Sequence, residues 1–197
     1  MSSMKALESI NDFVVKFANV NGSGSASANE MFAKSIIRMG VPVSPRNIFP
    51  SNIQGLPTWY EVRVTEQGHL GRRGGVDFMV AMNPQTWDAD ISEIEPGGYL
   101  FYDNSKPIPA SRFREDIHVI GVPLTQICNA AYTEPRQRQL FKNIVYVGAL
   151  SALLNIDIEV IEKLIAEQYK SKPKLFEPNK QALHMGRDYV QQNLQHP

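Results

Sequence analysis

A single cysteine in 197 residues is the first shortage that constrains the reading. With Cys128 alone, an intrachain disulfide is impossible, and so is a thiolate set able to hold zinc or an iron–sulfur cluster. A reducing compartment follows, and the chain is expected to be cytoplasmic. Charge of one sign is also missing: 20 acidic residues balance 20 basic ones. That excludes a whole-chain field for drawing in nucleic acid or a membrane surface, and it leaves association into a homodimer unopposed. No apolar run approaches the roughly 20 residues of a membrane span, and the opening MSSMKALESINDF has no signal-peptide core.

Catalytic signatures are absent as well. No G-x-S-x-G, H-E-x-x-H, C-x-x-C, Gly-Asp-Gly or Gly-Lys-Ser/Thr occurs. His69 lacks neighbours at ligand spacing, His118 begins a strand, and His184 and His196 lie near the end without forming a set with Cys128. Cys128 itself, in PLTQICNAA, has apolar flanks on a predicted helix and reads as a buried inert thiol. No catalytic residue and no metal site is expected.

What is present is an α/β pattern. Residues 1–11 read as a polar arm, and 12–197 as one domain. DFVVKFANV is a predicted strand that stops at the Gly/Ser run NGSGSAS. Met31, Phe32, Ile36, Ile37 and Met39 then recur at helical spacing up to Gly40. VSPRNIF and the alternating TWYEVRV add two strands, and VDFMVAM, GGYLFYD and HVIGVP add three apolar ones suited to a sheet covered on both faces. From Pro135 the pattern is helical. Leu140, Ile144, Val147, Leu150 and Leu154 mark one face, Asn155 ends the segment, Asp157 caps the next, and a last helix follows Pro178. The expected fold is a three-layer α/β/α arrangement with a mostly parallel, or mixed, sheet and a helical C-terminal segment.

Three stretches qualify as candidate sites. Gly22, Ser23, Gly24 and Ser25 follow a strand and open a helix, which places backbone N–H groups and a helix dipole where an anion can approach without a Cβ in the way. The same glycines also read as a tight turn, with Ser25, Ser27 or Asn29 capping the helix. Position 27 is Ser, no Gly-Lys follows, and VPVSPRNIFPSN offers no acidic ribose partner, so the usual ATP and NAD fingerprints are not met. Asn52, Gln54 and Gly55 form a second candidate, able to present amides to a polar ligand or partner, or simply a turn into a strand. Arg72 and Arg73, between glycines in EQGHLGRRGG, read as either an anion contact or a solvated hairpin tip.

Six blocks in order carry a resemblance: VVKFANVNGSGSASANEMFAKSIIRMG, NIFPSNIQGLPTWYEVRV, GGVDFMVAMNPQTWD, EIEPGGYLFYD, VIGVPLTQIC and FKNIVYVGALSALLNIDIEVIEKLI. From about Asp12 to Leu194 the chain resembles the γ-type domain of 2-oxoacid:ferredoxin oxidoreductases, above all the form fused to the N-terminus of the α subunit in 2-oxoglutarate-type enzymes. Departures exist: Ser23 and Ser25 flank Gly24 where the family commonly has G-x-G-G-x-G. The resemblance implies a noncatalytic part of a complex that converts a 2-oxoacid and coenzyme A to acyl-CoA and CO2 with reduction of ferredoxin. It implies α and β domains as partners, and thiamine diphosphate and iron–sulfur clusters housed in those other domains. Gly22 to Ser25 and Asn52 to Gly55 would then meet coenzyme A or a neighbouring domain. Two other readings stay open, a free-standing Rossmann-like binder of a nucleotide or coenzyme A and a pure assembly module.

Overall fold

The structure, a computed structural model, describes residues 12–49, 53–65 and 75–194. Along the chain run β1 (Asp12–Val20), α1 (Ser25–Arg38), β2 (Val43–Ile48), β3 (Pro57–Thr65), β4 (Val76–Ala81), α2 (Trp87–Ser92), β5 (Ile94–Asp103), β6 (His118–Val122), α3 (Leu124–Ala131), α4 (Pro135–Leu153), α5 (Ile158–Gln168) and α6 (Phe176–Asn193). The fold is α/β, and the residues sort into two compact units, one built on the sheet and one on helices.

The sheet unit comprises the described residues up to Ser25 and Pro42–Pro123. Its six strands lie in the order β2-β3-β1-β4-β5-β6. The pairs β1–β4, β4–β5 and β5–β6 are parallel, whereas β1–β3 and β2–β3 are antiparallel, so the sheet is mixed. A short connection explains the antiparallel part, because β2 and β3 are too close in sequence for a parallel crossover. Pro45 is tolerated because β2 is an edge strand. β1 lies between β3 and β4, so the segment from 66 to 74 joins strands that are not neighbours. Arg72 and Arg73, read as an anion contact or a hairpin tip, lie outside the described residues.

One face of the sheet buries Val14, Ala18, Met79 and Leu100 against Trp87 and Ile91 of α2, with Ile94 and Ile117 completing the cluster. The Trp87 ring stands edge-on to Tyr102 and Phe113, 5.7 Å from each, and its Nε1–H donates to the Arg112 carbonyl at 3.1 Å. β4 is buried along nearly its whole length. β6 departs from the expectation of two covered faces, since it is the outer strand and leaves His118 and Val119 exposed.

The helical unit comprises Ala26–Val41 and the described part of Leu124–Pro197. In α1, Ile36 is buried while Ile37, about 100° further round, is half exposed. Gly40 at φ +86° follows the helix as expected. α4 is buried continuously from Asn143 to Ser151 rather than on one face, because α3 and α6 both pack against it. Leu140, expected on the buried face, lies before that stretch and is 45 % exposed.

Gly148 and Gly186 set the approach of α4 and α6. A Cβ on Gly148 would lie 1.9 Å from the Leu183 carbonyl oxygen, and one on Gly186 would lie 1.9 Å from that of Val145. Tyr146 donates its hydroxyl hydrogen to Asn29 Oδ1 in α1. Asn155, at φ +55°, turns the chain after α4. α6 starts at Phe176, earlier than expected, with Pro178 inside the first turn, where its missing N–H leaves no bond unmade. Among the described residues no helix is long and apolar enough to cross a membrane.

Asp157 caps α5 by accepting from the Glu159 N–H at 2.9 Å. Asp157→Ala is expected to cost about 1 kcal/mol, read as a lower urea midpoint with unchanged slope.

Candidate functional site

The carboxyl end of β1 sits where the sheet changes direction: the chain goes on to β2 and β3 on one side, while β4, β5 and β6 build outward on the other. Ligands of open α/β sheets gather outside strand ends at such a point. Beyond Val20 the chain turns, with the Ser23 N–H donating to the Val20 carbonyl at 3.2 Å. Gly22 at φ +86° and Gly24 at φ +80° occupy conformations that side chains resist.

This loop meets the second candidate directly. The Asn21 N–H donates to the Leu56 carbonyl at 2.8 Å, the Gly55 N–H donates to the Asn21 carbonyl at 2.9 Å, and Asn21 Nδ2 donates to the Ile53 carbonyl at 3.1 Å. A Cβ on Gly22 would lie 2.6 Å from Gln54 Cγ, so the glycine is what lets the loops close on each other. Gly22 thus meets Gln54, with Ser23, Gly24 and Ser25 following it in the same loop and Gly55 tied to Asn21; Asn52 lies outside the described residues. Gly22, Gly24, Gln54 and Gly55 are exposed, whereas Ser25, the first residue of α1, is buried. α1 carries no acidic residue in its first turn.

Asn21 and Asn83 escaped the reading of the sequence. Asn83 Nδ2 donates to the Asn19 carbonyl at 3.4 Å and its Oδ1 accepts from the Gln85 N–H at 3.0 Å, joining the ends of β1 and β4. The Asn-Gly step at the end of a strand was the available signal for Asn21. Ser27 and Asn29 do not cap α1; they lie inside it, Ser27 Oγ accepting from Gln168 Nε2 at 2.9 Å and Asn29 engaged by Tyr146.

Deeper in the sheet unit Asp90 is buried, taking hydrogen bonds from Trp59 Nε1 at 2.8 Å and Thr86 Oγ1 at 2.5 Å. Lys16, 5.8 Å from the centre of the Trp59 ring, donates to Glu93 Oε2 at 2.6 Å. Burial raises the Asp90 carboxyl above its ordinary 3.8, and the two hydrogen bonds oppose the shift without cancelling it. The stability this shift contributes is therefore complete below 3.8 and lost as pH rises through the raised value. Asp90→Asn is expected to flatten that fall, seen by comparing urea unfolding of variant and parent from acid to neutral pH. An identical pH profile in the two proteins would contradict it.

The remaining candidates fall into structural roles. Cys128 is fully buried, as expected of an inert thiol. Burial first, and then Cys128, push the Tyr132 hydroxyl up to about 12. Arg187 donates to His184 Nδ1 at 3.0 Å, which leaves His184 Nε2 to donate to Glu162. His118 stacks on Tyr99 with ring centres 4.8 Å apart. His69, Arg72, Arg73 and His196 lie outside the described residues. Among the described residues no cluster of His, Cys, Asp and Glu is suited to a metal ion. A groove of about 500 Å³ lies beside α1 and α5, where Arg38 donates to both Glu167 carboxylate oxygens at 2.8 and 2.6 Å in an exposed ion pair.

Comparison with known proteins gives a consistent result. The family model for pyruvate ferredoxin/flavodoxin oxidoreductase matches residues 14–189. The α subunit of 2-oxoacid:ferredoxin oxidoreductase 2 from Aeropyrum pernix is 22% identical over 89% of this chain and 33% of its own length. The 2-oxoglutarate oxidoreductase subunit KorA from Mycobacterium tuberculosis is 21% identical over 91% of this chain and 31% of its own length. The chain thus spans about a third of these curated relatives. Among solved structures, 2-oxoglutarate:ferredoxin oxidoreductase from Magnetococcus marinus, with 2-oxoglutarate, coenzyme A and succinyl-CoA bound, superposes with a TM-score of 0.82. It is 23% identical, over 95% of this chain and 32% of that one. The pyruvate oxidoreductase subunit PORC from Thermotoga maritima gives a TM-score of 0.72 at 20% identity, covering 91% of this chain and 97% of that subunit.

Proposed function

Since this chain belongs to the pyruvate ferredoxin/flavodoxin oxidoreductase family, we propose that residues 12–197 are the γ-type domain of a 2-oxoacid:ferredoxin oxidoreductase and that its paired loops dock coenzyme A. The reaction in which it takes part joins the acyl group of a decarboxylated 2-oxoacid to coenzyme A and passes two electrons to ferredoxin. 2-Oxoglutarate is the substrate favoured, given the named relatives from Mycobacterium and Magnetococcus. Thiamine diphosphate and the clusters belong to partner α and β domains in this reading, and the work takes place in the cytoplasm. Coenzyme A supplies the thiol that accepts the acyl group; the residues of this chain bind and orient it.

One observation carries the docking role: Gly22 meets Gln54 at the carboxyl end of β1, where Gly22, Gly24, Gln54 and Gly55 are all exposed. These glycines leave the backbone open to a phosphate or an amide. Calorimetry with coenzyme A tests this. Saturable binding is expected, and no heat at millimolar ligand would sink the docking role.

A second reading, assembly alone, has its own support. Phe49, Ile53 and Leu56, on the connection between β2 and β3, are exposed, Ile53 by 65 %. Apolar side chains on a turn that is usually polar fit a surface that packs on a partner domain or a second copy. Copurification with the α and β domains, retained after Ile53→Asp, would remove that support.

A further inference from the structure

We propose that Asn21 is the positioning residue of the docking loops, a clasp that fixes Ile53–Leu56 against Gly22–Ser25 before any ligand arrives; the ligand part of this rests on the docking role above. Asn21 spends three polar groups on the neighbouring loop. Its N–H and carbonyl bracket that loop through Leu56 and Gly55, and its side-chain amide reaches Ile53. The loop's own closing bond, Leu56 N–H to the Ile53 carbonyl at 3.3 Å, is the longest of the set. Ile53 therefore shares its carbonyl between a long bond inside the turn and a shorter one from Asn21.

The two backbone bonds do not depend on side-chain identity, but the side-chain bond does. It is the only one of the three that substitution removes cleanly, and it sits at the far end of the turn, where the chain enters from residue 53. Gly22 adds a steric condition: with Gln54 Cγ 2.6 Å from where a Cβ would be, the two loops touch with no slack on that side. Contact at Gln54 and a tether at Ile53 together fix the turn in one orientation. Fixing a loop beforehand removes the ordering cost from binding, so losing the tether lowers affinity without touching a ligand contact.

The test uses the 197-residue chain in three forms: the parent, Asn21→Ala and Asn21→Asp. Alanine removes the donor. Aspartate keeps the size and sets an acceptor against the Ile53 carbonyl. Faster hydrogen exchange at the Gly55 and Leu56 amides is expected in both variants, at an unfolding temperature close to the parent's. Coenzyme A affinity measured by calorimetry should weaken by about fivefold to tenfold in Asn21→Ala and further in Asn21→Asp. Unchanged exchange at Gly55 and Leu56 overturns the clasp. Faster exchange with unchanged affinity keeps the clasp but overturns its role in binding. A parent chain that binds no coenzyme A overturns the docking role itself, while the exchange result still decides the clasp.

Discussion

Gly186→Ala is expected to destabilise the chain by about 3 kcal/mol, and Gly148→Ala by a similar amount. Each added methyl would sit 1.9 Å from a backbone oxygen of the facing helix, and a backbone oxygen cannot rotate aside as a side-chain tip can. α4 and α6 must therefore move apart, which also loosens Val145, Leu183 and Val190, all fully buried. For a chain of this length the loss corresponds to a fall of roughly 10 °C in unfolding temperature. Both methyls press on one crossing, so the double variant should lose less than the sum, because helices already parted by one methyl accept the second more cheaply. Urea unfolding of the two singles and the double measures this. Singles within about 0.5 kcal/mol of the parent would show that the helices are not held at that distance.

The second large effect is expected at Gly24. Gly24→Asp should weaken coenzyme A binding by about 100-fold, because a carboxylate near a phosphate group repels it by ~1 kcal/mol in water and ~4 kcal/mol at a protein surface. The exposed loop lies between those limits. Position 24 has φ +80°, so any side chain there also brings backbone strain. Gly24→Asn separates the two causes: it has nearly the same size, tolerates that conformation, and carries no charge. Asparagine should retain binding within about tenfold of the parent. Equal losses in both variants would assign the effect to shape, and no loss in either would remove coenzyme A from this loop.

Much of the fold was legible because local signals and tertiary context agree. DFVVKFANV is β1 to the residue, Asp157 caps α5, and Asn155 ends the α4 segment as expected, in a left-handed conformation. Where they disagreed, the missing knowledge was of partners. The periodicity of α4 defined one buried face, yet α3 and α6 bury it on more than one side. β1 lies between β3 and β4 although both follow it in the chain, a fact of sheet order that no local pattern carries. The site divided the same way. Glycines at Gly22, Gly24 and Gly55 announced unusual backbone, and all three have positive φ. What sequence spacing could not convey was that Gln54 would come to rest against Gly22, or that Asn21 would tie the two stretches together.

The central place of β1 has a consequence during synthesis. Its antiparallel neighbour is β3, and its parallel partners at Phe78 to Ala81 come about 60 residues after it. At about 5–20 residues per second the ribosome needs roughly 3–12 s to deliver them. Until then Val15 and Phe17, fully buried in the finished protein, can pair only with Val62 and Tyr60 of β3, and the other edge of β1 stays open. The nascent chain is thus most in need of a chaperone early, and a slower codon stretch before residue 78 would lengthen the exposure.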